Sequence, residues 1–320
     1  MSPLVIFKKA AVNTFASPGW WLLGFFLAGG LHVQWIWPGG YEALITEWLP
    51  KITSWFIYWN LHPERAVLPF ILLLSAAGAA LLLTNGAKVW LLISAAHTHR
   101  VSFLGAQKTA VLVGPELTHY IIRLIFRVLP QLIPFSLVTT LTMLVLTTLL
   151  AVPLAFGLVS QASVSVYIFV ALLAWILVVF VLSVISIVGS YAIILYQRSV
   201  FQAVSFSFDL LLKRYQILIR FTVSLLGVYI LSYLFGLGVI NNAQHVVFFT
   251  TRIMAFIAPT LVPAWVIVIS ALFGLLGVIW ISILNVFFNL SFLFFFEQLV
   301  TPESLPQPAL QTTMLVASTP

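Results

Sequence analysis

The sequence predicts an all-α polytopic membrane protein with about six transmembrane helices and two amphipathic cytoplasmic surface helices. Three observations lead to this prediction. Of the 320 residues, 62% are hydrophobic and only 7% are charged, and the mean hydropathy of +1.15 lies far above that of soluble proteins. Apolar runs long enough to cross a hydrocarbon core recur along the chain. Between them lie two stretches whose polar residues return every three or four positions, the spacing of one helical face.

The composition also limits the chemistry that the chain can perform. The sequence contains no cysteine, which excludes disulfides, thiolate catalysis and cysteine-ligated metals. A net charge of +7 would suggest nucleic-acid binding in a soluble protein. Here the basic residues stand beside apolar runs, where they act as orientation signals and contacts to lipid headgroups. We therefore expect membrane lipids as partners, no nucleic acid and no cofactor.

The N-terminal region predicts a short basic amphipathic piece around Lys8 and Lys9, followed by a first span at about residues 19–37. Tryptophans mark both interfaces of this span: Trp20, Trp21, Trp35 and Trp37. His32 lies near the far interface, and we interpret it as a water-exposed neighbour of the aromatic belt, not as a ligand or proton relay. No small-residue cleavage site follows, so we expect the span to be retained.

Residues 38–69 form the longest connection, and its aromatic residues predict a segment folded back onto the membrane interface. The glutamates Glu42, Glu47 and Glu64 lack the spacing of a metal-binding loop, so we interpret them as solvated surface.

The second span covers about residues 68–96. Small residues suited to close helix packing lie within it: Ser75, Ala76, Gly78 and Ala79. Asn85-Gly86 interrupts the span, and two alternatives stay open for residues 87–100, either the last turns of the same helix or a separate interfacial helix. In either case Lys88 is expected to snorkel to the surface.

The first amphipathic stretch spans residues 100–127, and Gly114-Pro115 predicts the start of a helix within it. Its polar stripe consists of Glu116, His119, Arg123 and Arg127. The third span follows at about 131–155 and the fourth at about 164–197. At 1.5 Å per residue the fourth reaches ~50 Å, beyond a ~30 Å hydrocarbon core, so it is expected to tilt or project. A packing stripe is predicted on it: Ser183, Ser186, Gly189 and Ser190.

The second amphipathic stretch, Tyr196 to Arg220, leads into a fifth span at about 217–240. An interfacial connection is predicted for residues 241–262, and the sixth span covers about 263–300. Ser282, Asn285 and Asn289 share one face of that span and are expected to hydrogen-bond a neighbouring helix. Together these elements predict a single transmembrane domain over residues 1–300. A flexible tail is expected at 301–320, without a soluble catalytic domain.

The distribution of basic residues predicts the orientation. Ten of them fall on one side of a six-span arrangement: Lys8, Lys9, Arg100, Lys108, Arg123, Arg127, Arg198, Lys213, Arg214 and Arg220. Only Lys51, Arg65 and Arg252 fall on the other side. The positive-inside rule then places both termini and both amphipathic stretches in the cytoplasm.

The two amphipathic stretches are weakly alike. Arg100-Val-Ser-Phe103 and Arg198-Ser-Val-Phe201 open them, and each stretch follows one span and leads into the next, which suggests an internal repeat. Together with FKKAAVNTFASPGWWLLGFFLAGG at the start, these stretches resemble bacterial six-span inner-membrane proteins related to the membrane domain found beside glycerophosphodiester phosphodiesterases. The resemblance implies an all-α domain in the cell inner membrane. It implies no catalytic residues, because the phosphodiesterase domain has no counterpart here.

One group of residues has the chemistry of a metal site: His97, His99, Glu116 and His119. Histidines beside Arg100 at a membrane surface are better interpreted as headgroup contacts, so we predict no metal site and no catalytic residue. Phosphate-binding glycine loops and nucleophile elbows are missing from the sequence. The spans are also expected to hold essentially no buried ionisable residue near the membrane midplane, which argues against an ion-driven transporter.

These patterns favour a non-enzymatic accessory, scaffold or assembly subunit that packs against other integral membrane proteins and lipid. The alternative is a transporter or lipid-handling permease for an apolar or amphiphilic substrate, and an intramembrane enzyme comes third. The residues expected to contact lipid headgroups or partners are Arg100, Lys108, Arg123, Arg127, Arg198, Asp209, Lys213, Arg214 and Arg220.

Overall fold

The computed structural model of the protein describes residues 2–27, 50–51, 54–55, 58, 61–98, 115–155, 164–257 and 262–300. Seven helices are bounded within these ranges: α1 Pro3–Ala16, α2 Gly19–Leu27, α3 Pro63–Thr98, α4 Pro115–Ala155, α5 Val164–Tyr196, α6 Val200–Ile257 and α7 Val262–Leu299. The described ranges contain helices and no strands, which confirms the predicted all-α class.

Five helical stretches are long and apolar enough to cross a membrane: Ser75–Thr98, Pro115–Leu150, Ser165–Tyr196, Val200–Gly236 and Ala271–Leu299. They confirm the multi-pass membrane class. Of the predicted first span, only the part in α2 is described, and residues 28–37 lie outside the described residues, as does the tail 301–320.

Helix α3 passes through Asn85-Gly86 without a break. The amide Nδ2 of Asn85 donates a 2.9 Å hydrogen bond to the carbonyl oxygen of Leu81 one turn earlier. The amide group is therefore satisfied on the helix and does not terminate it. Of the two alternatives for residues 87–98, the structure selects the continuation of the same helix.

Helix α4 begins at Pro115 in the first amphipathic stretch and continues into the third span, so the helix predicted to start at Gly114-Pro115 and the span are one helix. Pro130 and Pro134 lie inside it. Ile121, on the segment before these prolines, and Phe135, just after them, are both buried in one core, so packing holds both halves in line. Helix α6 likewise continues over residues 241–257, where an interfacial connection was predicted. That stretch contains no proline or glycine to end it.

Helix α7 is the centre of the bundle. It packs most extensively against α2 and α6, and it also contacts α1 and α3, while α4 and α5 form an adjoining antiparallel pair. The packed core lies at one end of the bundle. It is built from the C-terminal parts of α3, α5 and α7, the N-terminal parts of α4 and α6, and α1.

Two glycines mark the closest helix approaches. A Cβ at Gly24 in α2 would overlap the backbone carbonyl of Ser282 in α7, and a Cβ at Gly189 in α5 would overlap the ring of Phe135 in α4. Gly189 belongs to the packing stripe predicted on the fourth span. The predicted patch on α3 is different, because its residues are exposed and Gly78 has no described atom near the position of a Cβ.

Candidate functional site

The second amphipathic stretch becomes a helix that starts on well-defined capping interactions. Gln197 has a left-handed backbone conformation with φ of 50°, which ends α5 and turns the chain. The backbone N–H of Gln202 then donates to Oγ of Ser199 at 3.5 Å, and the N–H of Ser199 donates to Oε1 of Gln202 at 3.2 Å. This reciprocal capping box fixes the start of α6 at Val200.

Residues 200–213 form what we call the amphipathic segment, and it has three distinct faces. One face packs against the bundle through Ala203 and Ser207, which are both fully buried. A second face exposes the large apolar side chains Phe201, Phe208 and Leu212, of which Phe201 is 88% exposed. A third face is polar and includes the ion pair between Lys213 Nζ and Asp209 Oδ2 at 3.2 Å. A helix with exposed apolar and charged stripes side by side suits a membrane–water interface.

The amphipathic segment ends at a kink. Arg214 has φ of −130° and ψ of 27°, outside the helical range, and separates the segment from the spanning part of α6. The sequence predicted such a boundary between surface helix and span, a few residues later, at 217–220.

An aromatic cluster anchors the start of this segment to α5 and α7. The ring of Phe296 lies 5.7 Å from that of Tyr191, 6.0 Å from that of Tyr196 and 6.1 Å from that of Phe206, measured between centroids. The guanidinium of Arg198 lies 4.1 Å above the ring of Phe206. Partial burial lowers the pKa of Arg198 from its ordinary value, an effect that Tyr196 opposes, and the group stays cationic at neutral pH.

The predicted contact residues do not form one site. Asp209 and Lys213 are brought together as an ion pair, and Arg198 packs onto Phe206. The remaining described members stand exposed on α4 and α6: Arg123, Arg127, Arg214 and Arg220. Arg100 and Lys108 lie outside the described residues, and so does the opening of the first copy of the suggested repeat, Arg100-Val-Ser-Phe103.

A polar belt inside the bundle links α3 to its neighbours, and its members are Thr84, Asn85, Lys88, Ser136, Tyr191 and Asn289. Thr84 Oγ1 donates to the carbonyl oxygen of Phe26 in α2 at 3.1 Å. Ser136 Oγ in α4 donates to Oδ1 of Asn85 at 3.2 Å. The hydroxyl of Tyr191 in α5 donates to the carbonyl oxygen of Asn289 in α7 at 2.7 Å. These bonds join α3 to α2 and α4, and they join α5 to α7.

Lys88 lies within this belt, near the middle of the candidate span Ser75–Thr98. Its Nζ is 5.7 Å from the centroid of the Tyr191 ring, and the side chain is half-buried between the buried residues Ala87 and Val89. The expectation that the spans hold essentially no buried ionisable residue near the membrane midplane is therefore wrong. The signal in the sequence was the spacing of Thr84, Asn85 and Lys88, which places three polar groups on one helical face inside an apolar run.

The asparagines of the sixth span behave partly as expected. Asn285 makes a side-chain hydrogen bond to Tyr229 of α6, and its Nδ2 also donates to the carbonyl oxygen of Ile281 at 2.9 Å. The side-chain amide of Asn289 donates to the carbonyl oxygen of Asn285 one turn earlier, within α7. The contact of Asn289 with a neighbouring helix is made by its backbone carbonyl, which accepts the hydrogen bond from Tyr191 of α5.

The residues of the candidate metal cluster are spread over two helices. His97 is half-buried near the end of α3, while Glu116 and His119 are exposed at the start of α4, and His99 lies outside the described residues. Within the ranges that the structure describes, no group of three histidine or acidic side chains could hold a metal ion.

Comparisons with models of known protein families, with curated proteins and with solved structures find no match. The fold itself defines the class of the protein. It is an all-α, multi-pass membrane protein.

Proposed function

We propose that this protein is a non-enzymatic integral membrane protein, an accessory, scaffold or assembly subunit that packs against other membrane proteins and lipid. The observation that supports this most directly is the uncovered outer part of α4 and α5. Over the most apolar stretch within each helix, only 11% of the residues are buried, although the two helices pack against each other. Large side chains face outward from both, among them Leu144, Leu149, Leu172 and Leu177. Such a surface must be covered by lipid or by another membrane protein.

The amphipathic segment supports a further contact with the membrane surface. Its exposed stripe of Phe201, Phe208 and Leu212 would enter the interface, and its charged face would meet the headgroups. Exposed basic residues such as Arg214 and Arg220 each contribute about 1 kcal/mol when they face anionic lipid. With both termini in the cytoplasm, as the positive-inside rule predicts, this surface is the inner leaflet of the cell inner membrane.

Site-directed photo-crosslinking in the native membrane tests the proposed packing role. A photo-reactive amino acid in place of Leu144 or Leu172, both exposed, is expected to capture a discrete membrane protein. The matched control is Leu132 on α4, which is fully buried and should give crosslinks only within the chain. If Leu144 and Leu172 yield lipid adducts alone, the subunit role is wrong.

That outcome would favour the alternative, a permease for an amphiphilic substrate. One observation supports this alternative specifically, since Lys88 places an ionisable group inside the bundle. A subunit that acts only by packing has no need for such a group.

The orientation can be tested cleanly because the chain has no cysteine of its own. A single cysteine from Asp209→Cys, an exposed position on the polar face of the amphipathic segment, is expected to resist a membrane-impermeant maleimide in intact cells and to react after permeabilisation. Gln161→Cys, between the third and fourth predicted spans, is the matched control and should react in intact cells. Labelling of Asp209→Cys before permeabilisation would show that the predicted orientation is inverted.

A further inference from the structure

Lys88 differs from the other members of the polar belt in its hydrogen bonding. Thr84, Asn85 and Ser136 each make a hydrogen bond through their side chains, and so does Tyr191. Within the part of the chain that the structure describes, the ammonium group of Lys88 makes no hydrogen bond, and the ring of Tyr191 lies 5.7 Å away. A lysine ammonium has three N–H donors and carries a full charge, and in a membrane span it requires a partner.

The described acidic side chains do not supply that partner. Asp209 is paired with Lys213 on the amphipathic segment, Glu116 is exposed at the start of α4, and Glu297 lies close enough to Tyr196 to affect it electrostatically. No ion pair of Lys88 is found among the described residues. Among the described residues, Lys88 is therefore a cationic group of the belt without a counter-charge.

The surroundings of Lys88 indicate the direction from which a ligand reaches it. From Lys88 to the end of α3 at Thr98 is ten residues, about 15 Å at 1.5 Å per residue. Leu91, Leu92 and Ala95 are fully buried along this path, which leaves it dry. In the opposite direction the described face of α3 that carries Lys88 is more open, because Leu81 is only half-buried and Ala77 and Ala80 are exposed. Access is lateral, from the hydrocarbon region, and not from water at the packed end.

We propose that Lys88 and the polar belt around it form a binding site for the anionic headgroup of a membrane amphiphile, whose apolar chain lies along the exposed part of α3. The ammonium of Lys88 binds a phosphate oxygen as a point charge, and Tyr191 forms one wall of the site. The site faces the bundle interior next to α2, α4 and α5, so a single headgroup fits it better than the helix of a partner protein. This proposed binding site is compatible with both proposed functions, the packing subunit and the permease.

Native mass spectrometry of the protein purified in an uncharged detergent tests this site, with phosphatidylglycerol, phosphatidylcholine and inorganic phosphate as separate probes. One phosphatidylglycerol is expected to bind, and Lys88→Gln should weaken that binding at least tenfold while Lys88→Arg retains most of it. Lys51→Gln is the matched control, since Lys51 is exposed before α3 and is not among the predicted headgroup contacts, and it should bind like the wild type. Binding of inorganic phosphate with equal affinity would show that the site takes a free anion, and it would overturn the proposal that the ligand is a membrane amphiphile.

A second measurement on the wild-type protein covers the case in which Lys88→Gln does not fold. Acylation of the Lys88 amine by a membrane-permeant reagent, mapped by peptide mass spectrometry, should slow when phosphatidylglycerol is added and be unchanged by phosphatidylcholine. Equal acylation with both lipids overturns the proposal. So does a carbodiimide crosslink from Lys88 to an acidic residue of a co-purified membrane protein, which would identify a partner helix as the source of the counter-charge.

Discussion

Replacing Gly24 with alanine is expected to lower the free energy of unfolding by about 3 kcal/mol, a large effect for one added methyl group. The new Cβ would meet the carbonyl oxygen and carbon of Ser282, which belong to the backbone of α7 and cannot rotate away. Relief requires α2 to move away from α7, and this is the most extensive helix contact in the fold. Thermal unfolding of the purified protein in detergent, followed by tryptophan fluorescence, measures the change.

Gly227→Ala provides the matched control for this substitution. Gly227 also lies within a helix, but no described atom lies within 4 Å of the position of its Cβ. Since alanine favours helix more than glycine does, Gly227→Ala should leave stability unchanged or raise it slightly. Equal melting temperatures for the two variants would mean that α2 and α7 are not in contact in the membrane protein.

The contrast between these glycines shows how far the sequence could predict the packing. Composition and apolar runs were sufficient to predict the all-α membrane class, because a chain in lipid must satisfy its backbone hydrogen bonds within helices. They could not identify the partners of each helix. The predicted packing patch at Gly78 is exposed, whereas Gly24 was interpreted only as part of a tryptophan-flanked span. A small residue permits close approach, but which helix approaches is decided by the tertiary fold.

The candidate sites show the same limit. The amphipathic segment was predictable because its charged and apolar stripes repeat with the helical period, and only its end, at Arg214, required the structure. The polar belt was not predicted, because Thr84, Asn85 and Lys88 gain their meaning from Phe26, Ser136 and Tyr191, which are distant in sequence. A lysine in an apolar run predicts snorkelling whenever its helix is considered alone, and contacts with other helices are needed to place it in the interior.

Phe221 is the residue whose truncation should affect stability most strongly among the core aromatics. Its ring is 1% exposed and lies parallel to that of Phe295, with centroids 3.7 Å apart and an interplanar angle of 5°. It also meets Phe292 edge-on at 5.4 Å and Phe7 at 5.6 Å, so a single side chain holds α6 against both α7 and α1. Phe221→Ala removes these contacts and leaves a cavity, which costs about 3–5 kcal/mol.

The same variant should also loosen α1, because Phe7 loses one of the two rings that it touches, Phe221 and Phe287. Lys8 and Lys9 follow directly and are exposed, so limited trypsin digestion should cleave there faster in Phe221→Ala than in the wild type. Phe201→Ala is the matched control on α6, since Phe201 is 88% exposed and should change neither the melting temperature nor the cleavage rate. Faster cleavage at Lys8 and Lys9 together with a lower melting temperature would link the core to the N-terminal helix. A lower melting temperature with unchanged cleavage would show instead that the other contacts of α1 hold it in place, among them Phe7 against Phe287 and Lys9 over the ring of Phe294.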